Sequence, residues 1–143
     1  MHISKIAAFA LLCLTLAAGT AWAYSASVHI YVTNDDNMTH SVVITSSTDT
    51  SDQYVTLDSG DEYEYEDSDT AWFEEWVTYD YDVYVSAGDT SGYKCTTSIN
   101  VETVWDWGVK VEECVATAAE TTACTIEAES YGTTCQITVT INE

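Results

Sequence analysis

Apolar residues alternate with polar ones in short segments of this chain, and this alternation limits its fold more than any other feature. In residues 77–85 every odd position is valine or tyrosine, and the even positions are Thr78, Asp80, Asp82 and Tyr84. A period of two places successive side chains on opposite faces of a β-strand. The segment therefore predicts a central strand that buries its odd positions and turns Asp80 and Asp82 outward.

Turn residues recur at short intervals between the alternating segments. The chain has no proline and only 6 glycines, and it is rich in Thr, Val, Ile and Tyr, which favour strands over helices. Regularly spaced short strands are typical of an antiparallel sandwich or barrel. We predict an all-β fold, an antiparallel β-sandwich that is immunoglobulin-like or similar, with about seven to nine strands. The turn signals are Asn34-Asp35-Asp36-Asn37, Ser59-Gly60, residues 88–92, Gly108 and Tyr131-Gly132.

Strand pairing can be tested from sequence because paired strands must bury their apolar residues on the same face. We tested three hairpins, with turns at residues 34–38, at Trp105-Asp106-Trp107 and at Tyr131-Gly132. The predicted pairs are Ile30 with Val42, Val101 with Val111, and Ile126 with Ile137. Each choice keeps the apolar residues of both arms in the core.

The first 23 residues have the pattern of a secretory signal peptide. Lys5 supplies the positive start, residues 6–17 the apolar run, and Ala21-Trp22-Ala23 the small-residue cleavage site. The run is too short to cross a bilayer of about 30 Å, so no membrane insertion is expected after cleavage. We predict one domain over residues 24–143, secreted to the periplasm or the cell exterior.

Four cysteines remain after cleavage, which predicts two disulfides in an exported protein. The predicted registers disfavour Cys95–Cys114 with Cys124–Cys135. The second of these bonds would join residues about four rows apart on one hairpin, and the first would join opposite faces. Two pairings remain open. We favour Cys95–Cys135 with Cys114–Cys124 over Cys95–Cys124 with Cys114–Cys135, because residues 115–123 would close a small loop.

The charge is strongly negative, with 24 acidic residues against 3 basic ones and no arginine. Cleavage removes Lys5 and no acid, which leaves Lys94, Lys110 and a net charge of −22. Such a field repels nucleic acid and anionic membranes. Because 1 M salt shortens the Debye length to about 3 Å, we predict halophilic adaptation to a saline or cation-rich medium.

Acidic residues at strand spacing suggest one candidate metal site. In residues 62–66 glutamates alternate with tyrosines, so the glutamates share a strand face. If that face lies near Asp80 and Asp82, the crowded charges would favour a calcium ion, which prefers six to eight oxygen ligands. The alternative is a solvated acidic face. The candidate ligands are Glu62, Glu64, Glu66, Asp80 and Asp82.

Two tryptophans at a predicted hairpin tip suggest a binding platform. Trp105 and Trp107 flank Asp106, and exposed tryptophans beside a carboxylate can stack on sugar rings. The alternative is that these tryptophans are part of the core.

Catalytic motifs are missing from the sequence. No G-x-S-x-G elbow is present, and bridged cysteines leave no thiolate nucleophile. We expect a non-enzymatic module that binds a protein or carbohydrate at the cell exterior, or self-assembles. Two alternatives are a calcium-assisted carbohydrate-binding module that uses the Trp pair, and an exported inhibitor of a cationic enzyme.

The charge makes salt dependence the first testable property. We expect the thermal midpoint of the oxidised protein to rise in 1 M sodium chloride, because salt screens the repulsion among the acids. Differential scanning calorimetry would measure it. A large rise in 1 mM calcium at low ionic strength would instead indicate a specific calcium site, by ligand linkage.

Overall fold

The computed structural model describes residues 25–70, 76–87, 92–105, 109–118 and 123–143. Nine strands lie within these ranges, at the upper end of the predicted number. They are β1 Ser25–Asn34, β2 His40–Ser46, β3 Gln53–Leu57, β4 Glu62–Thr70, β5 Trp76–Ser86, β6 Tyr93–Trp105, β7 Val109–Ala118, β8 Cys124–Tyr131 and β9 Thr134–Ile141. The predicted signal peptide lies outside the described residues.

The strands form two sheets that pack face to face. Sheet A has the order β4-β1-β9-β8, and sheet B has the order β3-β2-β5-β6-β7. Neighbours in both sheets are antiparallel except β1 and β9, which run parallel in the middle of sheet A. The predicted all-β sandwich is confirmed, and its immunoglobulin-like character stays a prediction.

The core lies between the sheets and follows the predicted alternation. On β5, Tyr79, Tyr81, Val83 and Val85 are all buried, whereas Thr78 and Asp80 are exposed. Sheet A contributes the matching inward residues of β1 and β9. Both inner faces therefore form one apolar layer, whose fully buried members include Ile30, Val32, Val42, Ile44, Val101, Ile137 and Val139.

Two buried tyrosines join the sheets near β4. The rings of Tyr65 on β4 and Tyr81 on β5 meet edge to face, with centroids 6.2 Å apart. The Tyr81 hydroxyl donates a hydrogen bond to Asp67 Oδ2 at 3.0 Å. Desolvation and the charge of Asp67 raise the pKa of Tyr81 well above its usual range, so this hydroxyl keeps its proton.

The predicted hairpin of the first two strands is wrong. β1 pairs with β4 and β9, and β2 pairs with β3 and β5, so the chain crosses from sheet A to sheet B at residues 35–39. Ile30 and Val42 are nevertheless both fully buried, because they face the core from opposite sheets. Alternation identifies the inward face of a strand, but it does not identify the neighbouring strand.

The other two hairpins exist with shifted registers. Ile126 pairs with Val139 instead of Ile137, and the turn falls at Gly132 and Thr133. Gly132 has a φ of 62°, a left-handed conformation that favours glycine. A shift of two residues keeps each side chain on its predicted face, which is why the face test did not detect it.

A bulge changes the hairpin of β6 and β7. Thr103 pairs with Val111, but the register shifts between Glu102 and Thr103, so that Val101 pairs with Cys114. The shift places Cys114 opposite an inward residue. The predicted assignment of Cys95 and Cys114 to opposite faces is therefore wrong, because one extra residue reverses the alternation along β7.

Both disulfides connect sheet B to sheet A. Cys95 on β6 bonds Cys124 on β8, and Cys114 on β7 bonds Cys135 on β9. This is the second of the two pairings left open, so the favoured pairing is wrong. The favoured Cys114–Cys124 bond would close the short connection between β7 and β8. Each observed bond instead joins one sheet to the other.

No helix within the described ranges has the length and apolar character that crossing a bilayer requires. The two disulfides are typical of proteins that fold in an oxidising compartment.

Removing either disulfide should strongly destabilise the domain. The bonds join residues 29 and 21 positions apart, and loops of that size predict a loss of about 3 to 4 kcal/mol for each bond. Urea unfolding of the oxidised Cys95→Ala/Cys124→Ala and Cys114→Ala/Cys135→Ala variants would measure it. A loss below about 1 kcal/mol would show that the unfolded chain gains little freedom without the bond.

Candidate functional site

The five predicted calcium ligands do not come together. Glu62, Glu64 and Glu66 lie exposed on β4, at the edge of sheet A, whereas Asp80 and Asp82 lie on β5, at the centre of sheet B. The two sets occupy the outer faces of opposite sheets. Across the described part of the chain, no three His, Cys, Asp or Glu side chains are grouped to hold a metal ion.

The glutamates of β4 have partners on the neighbouring strand instead. The Tyr31 hydroxyl of β1 donates a hydrogen bond to Glu64 Oε1 at 2.8 Å, and His29 Nδ1 lies 3.0 Å from the same oxygen. These contacts lower the pKa of Glu64, the His29 contact most. This part of sheet A is therefore a cross-strand polar network on an exposed face.

Asp80 and Asp82 accept hydrogen bonds from β6. Asn100 Nδ2 donates to Asp80 Oδ1 at 2.8 Å, and the Ser98 hydroxyl donates to Asp82 Oδ1 at 2.6 Å. The two aspartates line an open depression on the outer face of sheet B that extends to Val115 on β7. Neutral donors from the next strand thus hold both carboxylates.

The predicted tryptophan platform is not fully described. Trp105 ends β6, but its side chain, Asp106 and Trp107 lie outside what the structure describes. The platform therefore stays a prediction.

A different aromatic surface lies on the outer face of sheet B. Tyr54 on β3 pairs with Val43 on β2, and Val43 pairs with Tyr84 on β5, so a single row crosses three strands. Tyr93 begins β6 and brings its ring to 5.2 Å from that of Tyr84, at an interplanar angle of 41°. Tyr54 is 74% exposed and Tyr93 60%.

Two carboxylates accompany these tyrosines. The Tyr54 hydroxyl donates a hydrogen bond to Asp52 Oδ2 at 3.1 Å, which raises the pKa of Tyr54. The charge of Asp82 raises the pKa of Tyr84. We call the surface formed by Tyr54, Tyr84 and Tyr93, with Asp52 and Asp82 beside them and Val43 between them, the tyrosine patch.

A buried polar cluster lies at the end of the sandwich where β1 crosses to β2. Asp36, whose side chain is 9% exposed, contacts the Lys94 ammonium and lies 2.9 Å from His40 Nε2. Lys94 also donates to the Asn142 carbonyl, and His40 Nδ1 lies 2.8 Å from the Ser86 carbonyl. Both neighbours of the His40 ring are acceptors, so both bonds form only when both ring nitrogens carry hydrogen.

The cluster has a clear electrostatic effect. The hydrogen bonds from Lys94 and then His40 lower the pKa of Asp36 to about 2. Asp36 is therefore ionised at every pH at which the protein is expected to work, and the cluster ties the crossing loop to β6 and to the end of β9. Its role is structural, since Asp36 is 6% and His40 1% exposed.

Sequence reasoning missed both the tyrosine patch and the buried cluster. Tyr84 was predicted to face outward on a central strand, and an aromatic residue on a polar face is a usable signal for a surface patch. Tyr54 and Tyr93 offered no such signal, because only strand pairing brings them near Tyr84. The loop acid Asp36 has the sequence pattern of an ordinary turn residue.

No protein-family model matches this chain, and no curated protein matches it either. Function must therefore be argued from the geometry of the described residues.

The Asp36 cluster predicts a specific acid sensitivity. Because the pKa of Asp36 is about 2 in the folded protein and 3.8 ordinarily, its ionisation stabilises the fold above pH 4, and this contribution is lost as the pH falls from about 4 to about 2. We expect Asp36→Asn to be less stable than the wild type at neutral pH, with a difference that shrinks over that range. Chemical unfolding at successive pH values would measure this difference.

The matched control is Asp35→Asn, at an exposed neighbouring position. It should cost little stability at neutral pH. A difference for Asp36→Asn that stayed constant from pH 6 to pH 2 would contradict the role given to the ionised carboxylate.

Proposed function

We propose that this protein is an exported, strongly acidic binding module without enzymatic activity, which works outside the cytoplasm in a saline or cation-rich medium. The observation that carries the proposal is the tyrosine patch. Three aromatic side chains lie together on an outer sheet face, and two of them are more than half exposed.

Exposed tyrosines on a rigid sheet are suited to binding. Tyrosine offers a large apolar surface and a hydroxyl while losing little conformational freedom, and it is enriched among the residues that dominate binding energy. Tyr84 belongs to β5, the middle strand of sheet B, and its backbone pairs on both sides. The backbone of Tyr84 is therefore held in place before any ligand arrives, which lowers the entropy cost of binding at this position.

The surroundings of Asp80 and Asp82 favour a binding function over a catalytic one. A catalytic carboxylate usually lies in a pocket that excludes water. Asp80 and Asp82 instead lie on an open face, each beside a neutral donor of β6. Such carboxylates are suited to accepting hydrogen bonds or attracting cations.

Carbohydrate binding is the second candidate, and the patch gives it one supporting observation. Tyrosine rings can stack on sugar rings, and Asp52 and Asp82 can accept hydroxyl hydrogen bonds beside them. A carbohydrate ligand would then bind the tyrosine patch on sheet B instead of the predicted hairpin tip at Trp105 and Trp107. Calcium assistance would need ligands other than the two separated acid sets. Inhibition of a cationic enzyme agrees with the net charge and would use the same patch.

The binding function can be tested without knowing the ligand. The oxidised protein would be applied to an array of neutral oligosaccharides and to an array of peptides of varied charge. We expect binding to a limited set of ligands on one array, and we expect Tyr54→Ser/Tyr93→Ser to reduce it at least tenfold, because the two most exposed rings are removed.

The control variant is Tyr131→Ser. Tyr131 is 58% exposed at the end of β8 in sheet A, away from the patch. Its substitution should leave binding unchanged. Absence of binding on both arrays, or equal binding by the double variant, would refute the proposed function.

A further inference from the structure

We propose that the tyrosine patch binds a cationic side chain, an arginine above all, of a basic partner protein. This inference rests on the proposed binding function and specifies the partner. Two independent features of the patch support it, the arrangement of its rings and the uncompensated charge beside them.

The three tyrosines of the patch offer exposed aromatic surface to an organic cation. Tyr54 and Tyr84 both pair with Val43, so their backbones lie two strand spacings apart, about 10 Å. Half-buried Val43 lies between these two tyrosines in the row. The ring of Tyr93 is tilted against that of Tyr84 and enlarges the aromatic surface. Aromatic faces attract ammonium and guanidinium groups through the negative face of the ring.

The carboxylates at the patch have no cationic partner in the described structure. Asp52 accepts from the Tyr54 hydroxyl and Asp82 from the Ser98 hydroxyl, and neither takes part in an ion pair among the described residues. Lys94 follows Tyr93 in the chain, but its ammonium contacts Asp36 and the Asn142 carbonyl instead. A cation from a partner would add both the ion pairs and the ring contacts.

Another kind of protein is a better source of the cation than a second copy of this chain. The whole sequence has three lysines and no arginine, and Lys94 is already bound within the buried cluster. A second copy of this chain is therefore a poor source. A basic partner, in contrast, would be attracted by the net negative charge at close range, within the Debye length that the medium allows.

Charge complementarity favours a cation over a neutral sugar. A sugar would stack on the rings but leave the negative charges of Asp52 and Asp82 unpaired. Arginine is favoured over lysine because its planar guanidinium can stack on a ring and donate to a carboxylate at the same time. Lysine offers a point charge without the stacking plane.

The test is titration of hexaarginine into the oxidised protein at physiological salt, followed by calorimetry, with hexalysine as the comparison. We expect hexaarginine to bind more tightly than hexalysine. Tyr54→Ser and Tyr93→Ser should each weaken hexaarginine binding about fivefold, because each removes one ring contact. Tyr131→Ser should leave it unchanged. Thermal unfolding of each variant checks that it is folded.

A matched pair of charge variants separates the patch from the general field. Asp52→Asn/Asp82→Asn removes two charges at the patch, and Glu127→Gln/Glu129→Gln removes two from exposed positions on β8. The first pair should weaken binding several-fold more than the second. Equal effects of both pairs, with no effect of the tyrosine variants, would mean nonspecific attraction and overturn the proposal.

The array experiment distinguishes failure of this inference from failure of the binding function. If a neutral oligosaccharide binds through Tyr54 and Tyr93 while hexaarginine does not depend on them, the cationic partner is refuted and the binding function stands. If no ligand on either array depends on the two tyrosines, both are refuted.

Discussion

Two covalent links between the sheets oppose the electrostatic repulsion that this chain generates. A net charge of −21 disfavours any compact state. Cys95–Cys124 and Cys114–Cys135 tie β6 and β7 of sheet B to β8 and β9 of sheet A. The tyrosine pair near β4 links the sheets toward the other side. Because the disulfides and the tyrosine pair lie between the sheets, the charged residues can lie on the outer faces.

Lys94 has a structural role that also affects the charge of the outer surface. Its ammonium binds Asp36 and the Asn142 carbonyl, and so connects β6, the crossing loop and the end of β9. An acidic residue buried without a cation would cost far more than the pair does. Once Lys94 is committed there, however, it cannot compensate the acids at the tyrosine patch. The stability of one end of the sandwich and the negative potential of sheet B therefore depend on the same scarce base.

Period-two alternation predicted which side chains are buried but not which strands are neighbours. Ile30 and Val42 are both in the core, as predicted, yet they belong to different sheets. Pairing of β1 with β9 joins the first and last described strands, and no local pattern indicates a contact over so many residues. The bulge beside Glu102 likewise reversed the face of Cys114. The tyrosine patch depends on such pairings, which is why only its Tyr84 was visible in the sequence.

Selectivity at the patch then follows from the whole molecule and not from the rings alone. Tyrosine rings accept sugars and cations alike, and the local contact area would be similar for both. A cation, however, also removes part of the repulsion that the folded domain carries, so its binding is favoured by every acid within a Debye length, about 8 Å at physiological salt. A neutral ligand gains nothing from that field. If the proposed saline setting is right, the general attraction would be screened, and a partner would need contacts with Tyr54, Tyr84 and Tyr93 to remain bound.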